Sequence, residues 1–236
     1  MIILVIPDVH LKPWMFERAA DLMMQGIAEQ SVCLMDLPDD WGQAGNLDLY
    51  LKTLDRAIWY QKLYSDTLWC YGNHELSYIW GQPESGFSSA MTAPVLEKLG
   101  KLQAMLPDEK QLGFIHRIDN VLFLHAGLTE AFVKRHAADV DYDDTDAVIE
   151  KINSLGMLQI WDDASPVWFR PQFYYEKMYR GDELLQVVGH TPVRNISFDN
   201  NVISCDVFST DRNREPIGTE EFLIIDTETW EYKGKK

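Results

Sequence analysis

Cysteine is scarce in this 236-residue chain: Cys33, Cys70 and Cys205 are an odd set, each inside an apolar, strand-like run. None has the paired C-x-x-C spacing that a thiolate zinc site requires, so they read as reduced core residues, as expected in a reducing cytoplasm. Basic residues are also few. Lysine and arginine number 21 against 37 acidic residues, a formal charge of -16. That balance repels a phosphate backbone and argues against stable nucleic-acid binding. No apolar run is long enough to cross a bilayer, because the N-terminal stretch Met1 to Pro7 stops at Asp8. Repeats, low-complexity tracts and composition breaks are absent as well, so a single domain over residues 1–236 is expected.

What is present is an alternation of buried strands and helices. Ile2 to Ile6 is a continuous aliphatic run, and apolar residues then recur at helical spacing from Trp14 to Ala28. Ser31 to Met35, a helix within Asn46 to Tyr64, and Thr67 to Tyr71 repeat the theme, which predicts parallel strands with crossover helices. After a helix over Met91 to Leu106 the pattern turns antiparallel, with Phe114 to Ile118 and Val121 to His125 joined at Asp119-Asn120. Helical stretches between Glu130 and Leu155 precede strands at Leu184 to Val188, Val202 to Asp206 and Phe222 to Asp226, with a final hairpin through Thr227-Glu228. A two-sheet core with helices outside follows.

Chemistry is expected at the carboxyl ends of such strands, where loops can converge without disturbing the sheet. Asp8-Val9-His10 follows the first strand and offers a carboxylate and an imidazole at i and i+2, on one face of extended chain. Alone, that pair is usually a turn. Asp36 ends the second strand, with Asp39 close by; a turn is again the bland alternative. The third strand ends in Gly72-Asn73-His74-Glu75, which could equally cap a helix. His125 and His190 end two later strands, so four of the six histidines fall at strand ends. Coincidence across five segments is the harder explanation.

In this order, Asp8-Val9-His10, Asp36-Leu37-Pro38-Asp39, Gly72-Asn73-His74-Glu75, His125-Ala126-Gly127-Leu128 and Gly189-His190-Thr191, the sequence resembles the calcineurin-like metallophosphoesterases, within them the phosphoprotein phosphatase branch with its bacterial relatives. The resemblance spans residues 8 to 191. It implies an α/β fold with a central two-sheet β-sandwich flanked by helices. It implies a dinuclear centre in which Asp8 and His10 hold one metal, Asp36 bridges, and Asn73, His125 and His190 hold the other. His74, paired with Asp39, would protonate the leaving group. Arg170, in Ser165-Pro166-Val167-Trp168-Phe169-Arg170, would bind the substrate phosphate alongside Asn73.

Three departures stand out. Met35 replaces the glycine usual before the bridging aspartate. Asp40 and Trp41 stand where arginine and glycine are usual, which removes one phosphate-clamping cation. Thr191-Pro192 lacks the second histidine of the G-H-x-H form found in many diesterases.

A ligand set without thiolates suits two ions of manganese first, with iron or zinc as alternatives. The leading expectation is a phosphatase acting on phosphomonoesters, phosphoproteins among them. A nucleotide or dinucleoside-polyphosphate hydrolase is the alternative on the same centre. A non-catalytic module in which the metal supports partner binding is the third reading, motivated by Asp40 and Trp41. The aromatic stretch Trp168, Phe169, Phe173, Tyr174, Tyr175 and Tyr179 reads either as core or as the wall of a pocket for an aryl or nucleobase group.

Overall fold

In a computed structural model describing residues 1–236, the aliphatic run at the N-terminus is a strand buried on both faces. Strand β1 (Ile2–Ile6) turns Ile3 and Val5 one way and Leu4 and Ile6 the other, and all four are fully buried. A strand with no polar face needs cover on both sides, and the rest of the fold supplies it. Parallel neighbours β2 (Gln30–Cys33), β3 (Leu68–Cys70) and β4 (Leu112–Gly113) lie on one side of β1. A second sheet starts with the hairpin β5 (Ile115–Ile118) and β6 (Val121–Leu124), continues through β7 (Leu185–Val188), and ends in the pair β8 (Ser197–Asp199) and β9 (Val202–Ser204). The chain then returns to the first sheet as β10 (Phe222–Asp226), antiparallel to β1, followed by β11 (Tyr232–Lys235). The strand orders are β11-β10-β1-β2-β3-β4 and β5-β6-β7-β9-β8.

Three apolar layers make this a sandwich. Ile3, Val5, Val32 and Leu223 of the first sheet meet Val121, Phe123, Val187 and Ile203 of the second. Helices α1 (Trp14–Met24), α2 (Leu47–Leu63), α3 (Asn73–Trp80) and α4 (Thr92–Gln103) come next in the chain, and α1, α2 and α4 cover the first sheet through Phe16, Tyr60 and Val95. Helices α5 (Glu130–His136), α6 (Thr145–Asn153) and α7 (Met157–Ile160) cover the second through Phe132, Ile149 and Ile160. The three cysteines are free and buried, as their apolar surroundings suggested. No helix is long and apolar enough to cross a membrane.

Several expectations are corrected by detail. The second sheet is mixed: the expected hairpin of β5 and β6 is antiparallel, but β6 and β7 are parallel, as are β7 and β9, because α5 to α7 return the chain to the end of the sheet from which β6 began. Helix α1 ends at Met24, four residues before Ala28, because Gly26 at φ 69° takes the left-handed conformation that closes a helix. The last hairpin turns through five residues, not two. The Asp226 carboxylate accepts the N–H groups of Glu228 and Thr229, and Trp230 adopts φ 63°. Strand β8 is exposed along its length, so no alternation marked it in the sequence.

Phe123 is fully buried between the sheets. Phe123→Ala is expected to lower unfolding free energy by about 3–5 kcal/mol, measured by urea denaturation; a loss under about 1 kcal/mol would mean the two sheets do not share this core.

Candidate metal centre

Two parallel loops form the base of the site. The turn after β1 is stitched to the turn after β2 by Val9 N–H to Met35 O (3.1 Å), His10 N–H to Asp36 O (2.7 Å) and Leu11 N–H to Leu37 O (3.1 Å). These turns hold His10, Leu11, Met35, Asp36 and Asp39 at positive φ, between 42° and 66°. Non-glycine residues seldom adopt that conformation, and each costs of order 1 kcal/mol or more. Met35, standing where glycine is usual, thus bears strain that glycine would not; its fully buried side chain offsets part of that cost.

Glu75 supplies the counterweight. Its carboxylate, on the first turn of α3 and fully buried, accepts N–H groups from Asp36 (3.1 Å), Leu37 (2.6 Å) and Gly72 (3.2 Å). One side chain therefore joins the loops after β2 and β3. Burial, then the charge of Asp36, pushes its pKa up to about 7 against the N–H bonds that lower it. In the sequence Glu75 has a place in a motif but no role, because its three partners are brought to it only by the fold.

The imidazoles are aimed from behind. His125 meets Leu34 O through Nδ1 (2.9 Å), and His10 meets Asp39 O through Nδ1 (2.9 Å). A carbonyl only accepts, so each Nδ1 carries the proton and each Nε2 presents a lone pair inward. His125 Nε2 lies 3.0 Å from Asn73 Oδ1, 3.2 Å from His190 Nδ1 and 3.3 Å from Asp36 Oδ2; His10 Nε2 lies 3.8 Å from Asp36 Oδ2. Lone pairs converge here with too few protons between them. Two buried atoms, Asp8 Oδ2 and His190 Nε2, have no partner at all, although Asp8 Oδ1 accepts the N–H of His190 at 2.8 Å. A second proton on His125 or a shared cation relieves this arrangement. The donor set, carboxylate, imidazole and amide oxygen, fits a cation.

Charge tells the same story. Burial lowers the His125 pKa, but Asp36 and Asp8 outweigh it and hold it up at about 9. Asp36 itself is raised by burial, yet His125, His74 and His10 pull it well below the carboxylate range. Asp8 is driven upward by burial and by Asp206, whose own carboxyl is raised by burial to about 6 while it accepts Ser209 N–H and Oγ–H. His10, buried, drops to about 4, and His190 is lowered by burial and by His125.

Two groups of ligand atoms lie within 4.8 Å of one another: His10, Asp36 and His74, and Asp36, His125 and His190. Asp36 belongs to both, as a bridging carboxylate must. The first group contains His74 rather than Asp8, which sits deeper. His74 is engaged elsewhere, its Nδ1 2.9 Å from Asp39 Oδ2, and although burial lowers its pKa, Asp36 and Asp39 raise it to about 9.

A pocket of about 190 Å³ opens over these residues, lined by His10, Asp36, Asn73, His74 and His190. Arg170, Trp168, Asp40 and Trp41 complete the lining, with Glu84 and the exposed Ser85 and Gly86 at the rim. Arg170 is held by Nη1 donation to His190 O (2.8 Å) and Thr191 Oγ1 (3.1 Å). Asp40 faces Lys12 Nζ at 3.6 Å and accepts from Thr210 Oγ1 at 2.8 Å, so the anion in place of the usual arginine has its charge offset locally. The aromatic stretch divides: Trp168 faces the pocket, Phe169 and Tyr179 are core, and Phe173, Tyr174 and Tyr175 are exposed.

A family model for calcineurin-like phosphoesterases matches residues 1–215. No curated protein sequence matches the chain. Among solved structures, a cold-active protein-tyrosine phosphatase of a psychrophilic Shewanella species is similar over 100% of this chain and 80% of that one, with 16% identity and a TM-score of 0.59. A protein of Thermus thermophilus matches over 100% of this chain and 98% of its own, with 9% identity and a TM-score of 0.51. A hypothetical protein of Pyrococcus horikoshii matches over 100% and 87%, with 11% identity and a TM-score of 0.50. At these identities the likeness is one of fold.

Two glycines admit the carboxylates. A Cβ on Gly72 would lie 2.0 Å from Asp36 Oδ1, and one on Gly189 would lie 2.0 Å from Asp8 Oδ2. Gly72→Ala and Gly189→Ala are each expected to cost about 1–3 kcal/mol of stability, read by urea unfolding, because a buried carboxylate must give way. Wild-type stability in both would mean that these carboxylates are free to move aside.

Proposed function

The chain belongs to the calcineurin-like phosphoesterase family, and from that premise we propose that it is a dinuclear-metal phosphatase acting on phosphomonoesters. The observation that carries this reading is a cluster of carboxylate, imidazole and amide ligand atoms, Asp8 Oδ2 and His190 Nε2 unpartnered among them, beside a pocket that a histidine–aspartate pair and an arginine also line.

Asp8, His10 and Asp36 would hold one ion, and Asp36, Asn73, His125 and His190 the other. Two such ions, when bound, neutralise phosphoryl oxygens and acidify a water for in-line attack. The rest falls to the protein. Arg170 offers a planar pair of N–H donors to the phosphate, partly replacing the arginine absent at Asp40, and the Asn73 amide adds a further polar contact. His74, with Nδ1 tied to Asp39, keeps Nε2 toward the pocket. Asp39, paired with Nδ1, favours the protonated imidazole, whose Nε2–H would donate to the departing oxygen.

Two features rank substrates. Trp41 and Trp168 give the pocket its apolar surfaces, suited to an aryl or other flat leaving group. Glu84 puts a negative charge on the rim, which works against the added charges of a dinucleoside polyphosphate. A monoester of modest charge is therefore favoured over a nucleotide polyphosphate. A purely metal-supported binding module would have no use for the His74–Asp39 pair.

With Mn²⁺ supplied, the protein is expected to hydrolyse an aryl phosphate and a phosphopeptide faster than diadenosine tetraphosphate. Turnover should vanish on chelation and in Asn73→Ala. Absence of turnover with manganese, iron or zinc would overturn the reading, and faster cleavage of the polyphosphate would reverse the ranking. His74→Asn is expected to slow hydrolysis of an alkyl phosphate by about 10²–10⁴-fold; an unchanged rate would remove His74 from the chemistry.

A further inference from the structure

Asp39 lies on a loop at φ 66° and is 1% exposed, so its backbone alone does not fix its carboxylate. Two phenols do. Tyr50 of α2 donates to Asp39 Oδ1 at 2.5 Å, and Tyr78 of α3 donates to the same oxygen at 2.6 Å. Both side chains are buried, and burial, reinforced by Asp39, lifts their ionisation far above the usual phenol range. Both therefore remain donors. With Oδ1 held from two helices, rotation about Cβ–Cγ is blocked and Oδ2 stays turned toward His74 Nδ1.

The chain of contacts continues to the rim. Tyr78 Oη accepts the N–H of Ser88 at 3.0 Å, and Ser88 Oγ donates to Ala44 O at 2.6 Å. Gly86, at φ 88°, sits so close that a Cβ there would lie 3.1 Å from Asp39 Cβ and 3.7 Å from His74 Cε1. Two helices and the rim loop thus meet on one carboxylate.

We propose that Tyr50 and Tyr78 are positioning residues for proton transfer by His74. They hold Asp39, which holds the imidazole so that Nε2–H points at the ester oxygen. As the oxygen of the attacking water bonds to phosphorus and the ester P–O bond breaks, the His74 proton passes to the departing oxygen; the water's own proton is released to solvent, from which the neutral His74 is reprotonated. The inference rests on the reading of His74 as the acid. Its mark is selectivity: help to the leaving group matters greatly for a poor leaving group and little for a good one, whereas loss of fold or metal slows all substrates alike.

The test uses the full Mn²⁺-loaded chain as wild type, Tyr50→Phe, Tyr78→Phe, the double variant and His74→Asn. Each is assayed on a series of aryl phosphates, from nitrophenyl to unsubstituted phenyl, and on an alkyl phosphate. Each single variant is expected to lose about tenfold in kcat on the poor leaving groups, as for one hydrogen bond to a charged acceptor. On the nitrophenyl ester the loss should be under threefold, with KM within twofold throughout, and the double variant should approach His74→Asn. A uniform loss across the series, a change confined to KM, or wild-type rates in a folded double variant would overturn the proposal. If the double variant does not fold, the His74 Nδ1 proton resonance of the Zn²⁺-loaded single variants, assigned by its disappearance in His74→Asn, carries the test: it should move from its wild-type position, and an unmoved resonance refutes the proposal. If wild type is active but His74→Asn leaves the leaving-group dependence intact, the acid assignment has failed and the proposal falls with it; a dependence altered in His74→Asn but not in the tyrosine variants overturns the tyrosine proposal alone.

Discussion

Carboxylates buried among imidazole lone pairs are the constraint around which this molecule is arranged. Asp8, Asp36 and Asp206 lie almost wholly out of water at the edge of the sandwich, with Asp8 Oδ2 unpartnered. An uncompensated carboxylate in such surroundings is costly by several kcal/mol. Two of the imidazoles around them, His10 and His125, are turned so that backbone carbonyls hold Nδ1 and leave Nε2 inward. A hydrogen-bonded core would place donors there. Lone pairs facing lone pairs are instead an arrangement that a cation would relieve, and the pull of Asp36 and Asp8 on His125 toward its protonated form is the same demand expressed through a proton.

Holding such an arrangement in place requires rigidity, and the fold provides it where parallel strands end together. The loops after β1 and β2 are laced backbone to backbone, and Glu75 ties the second of them to the loop after β3. Left-handed backbone at His10, Asp36, Asp39 and His190 carries local strain that these bonds and the buried core offset. Gly72 and Gly189 are the places where a side chain would collide with the very carboxylates at stake. Strain, close approach and hydrogen bonding coincide at one end of the sheets, where the pocket opens.

Much of the architecture was legible in the sequence because β1, β6 and residues 222–225 of β10 are buried on both faces and appear as uninterrupted apolar runs. Asp8, Asp36 and Asn73 could be placed at strand ends for the same reason. What escaped depends on tertiary neighbours. Strand β8 has no buried face to leave a pattern, and the parallel pairing of β6 with β7 follows from a crossover of three helices. Asp40 read as an anion in a phosphate site, whereas Lys12, nearly thirty positions earlier in the chain, offsets it. Tyr50 and Tyr78 carry no mark in the sequence, since nothing local says that both hydroxyls reach one carboxylate.

The central proposal is that six side chains from distant stretches would hold two cations, with Asp36 shared between them. Crystals of the protein grown with Mn²⁺ and measured at the manganese absorption edge test it most directly. The account predicts two anomalous peaks sharing Asp36, one beside Asp8 and His10 and the other beside Asn73, His125 and His190. A map with no peak there, or with His125 and His190 turned away from Asp36, would contradict it.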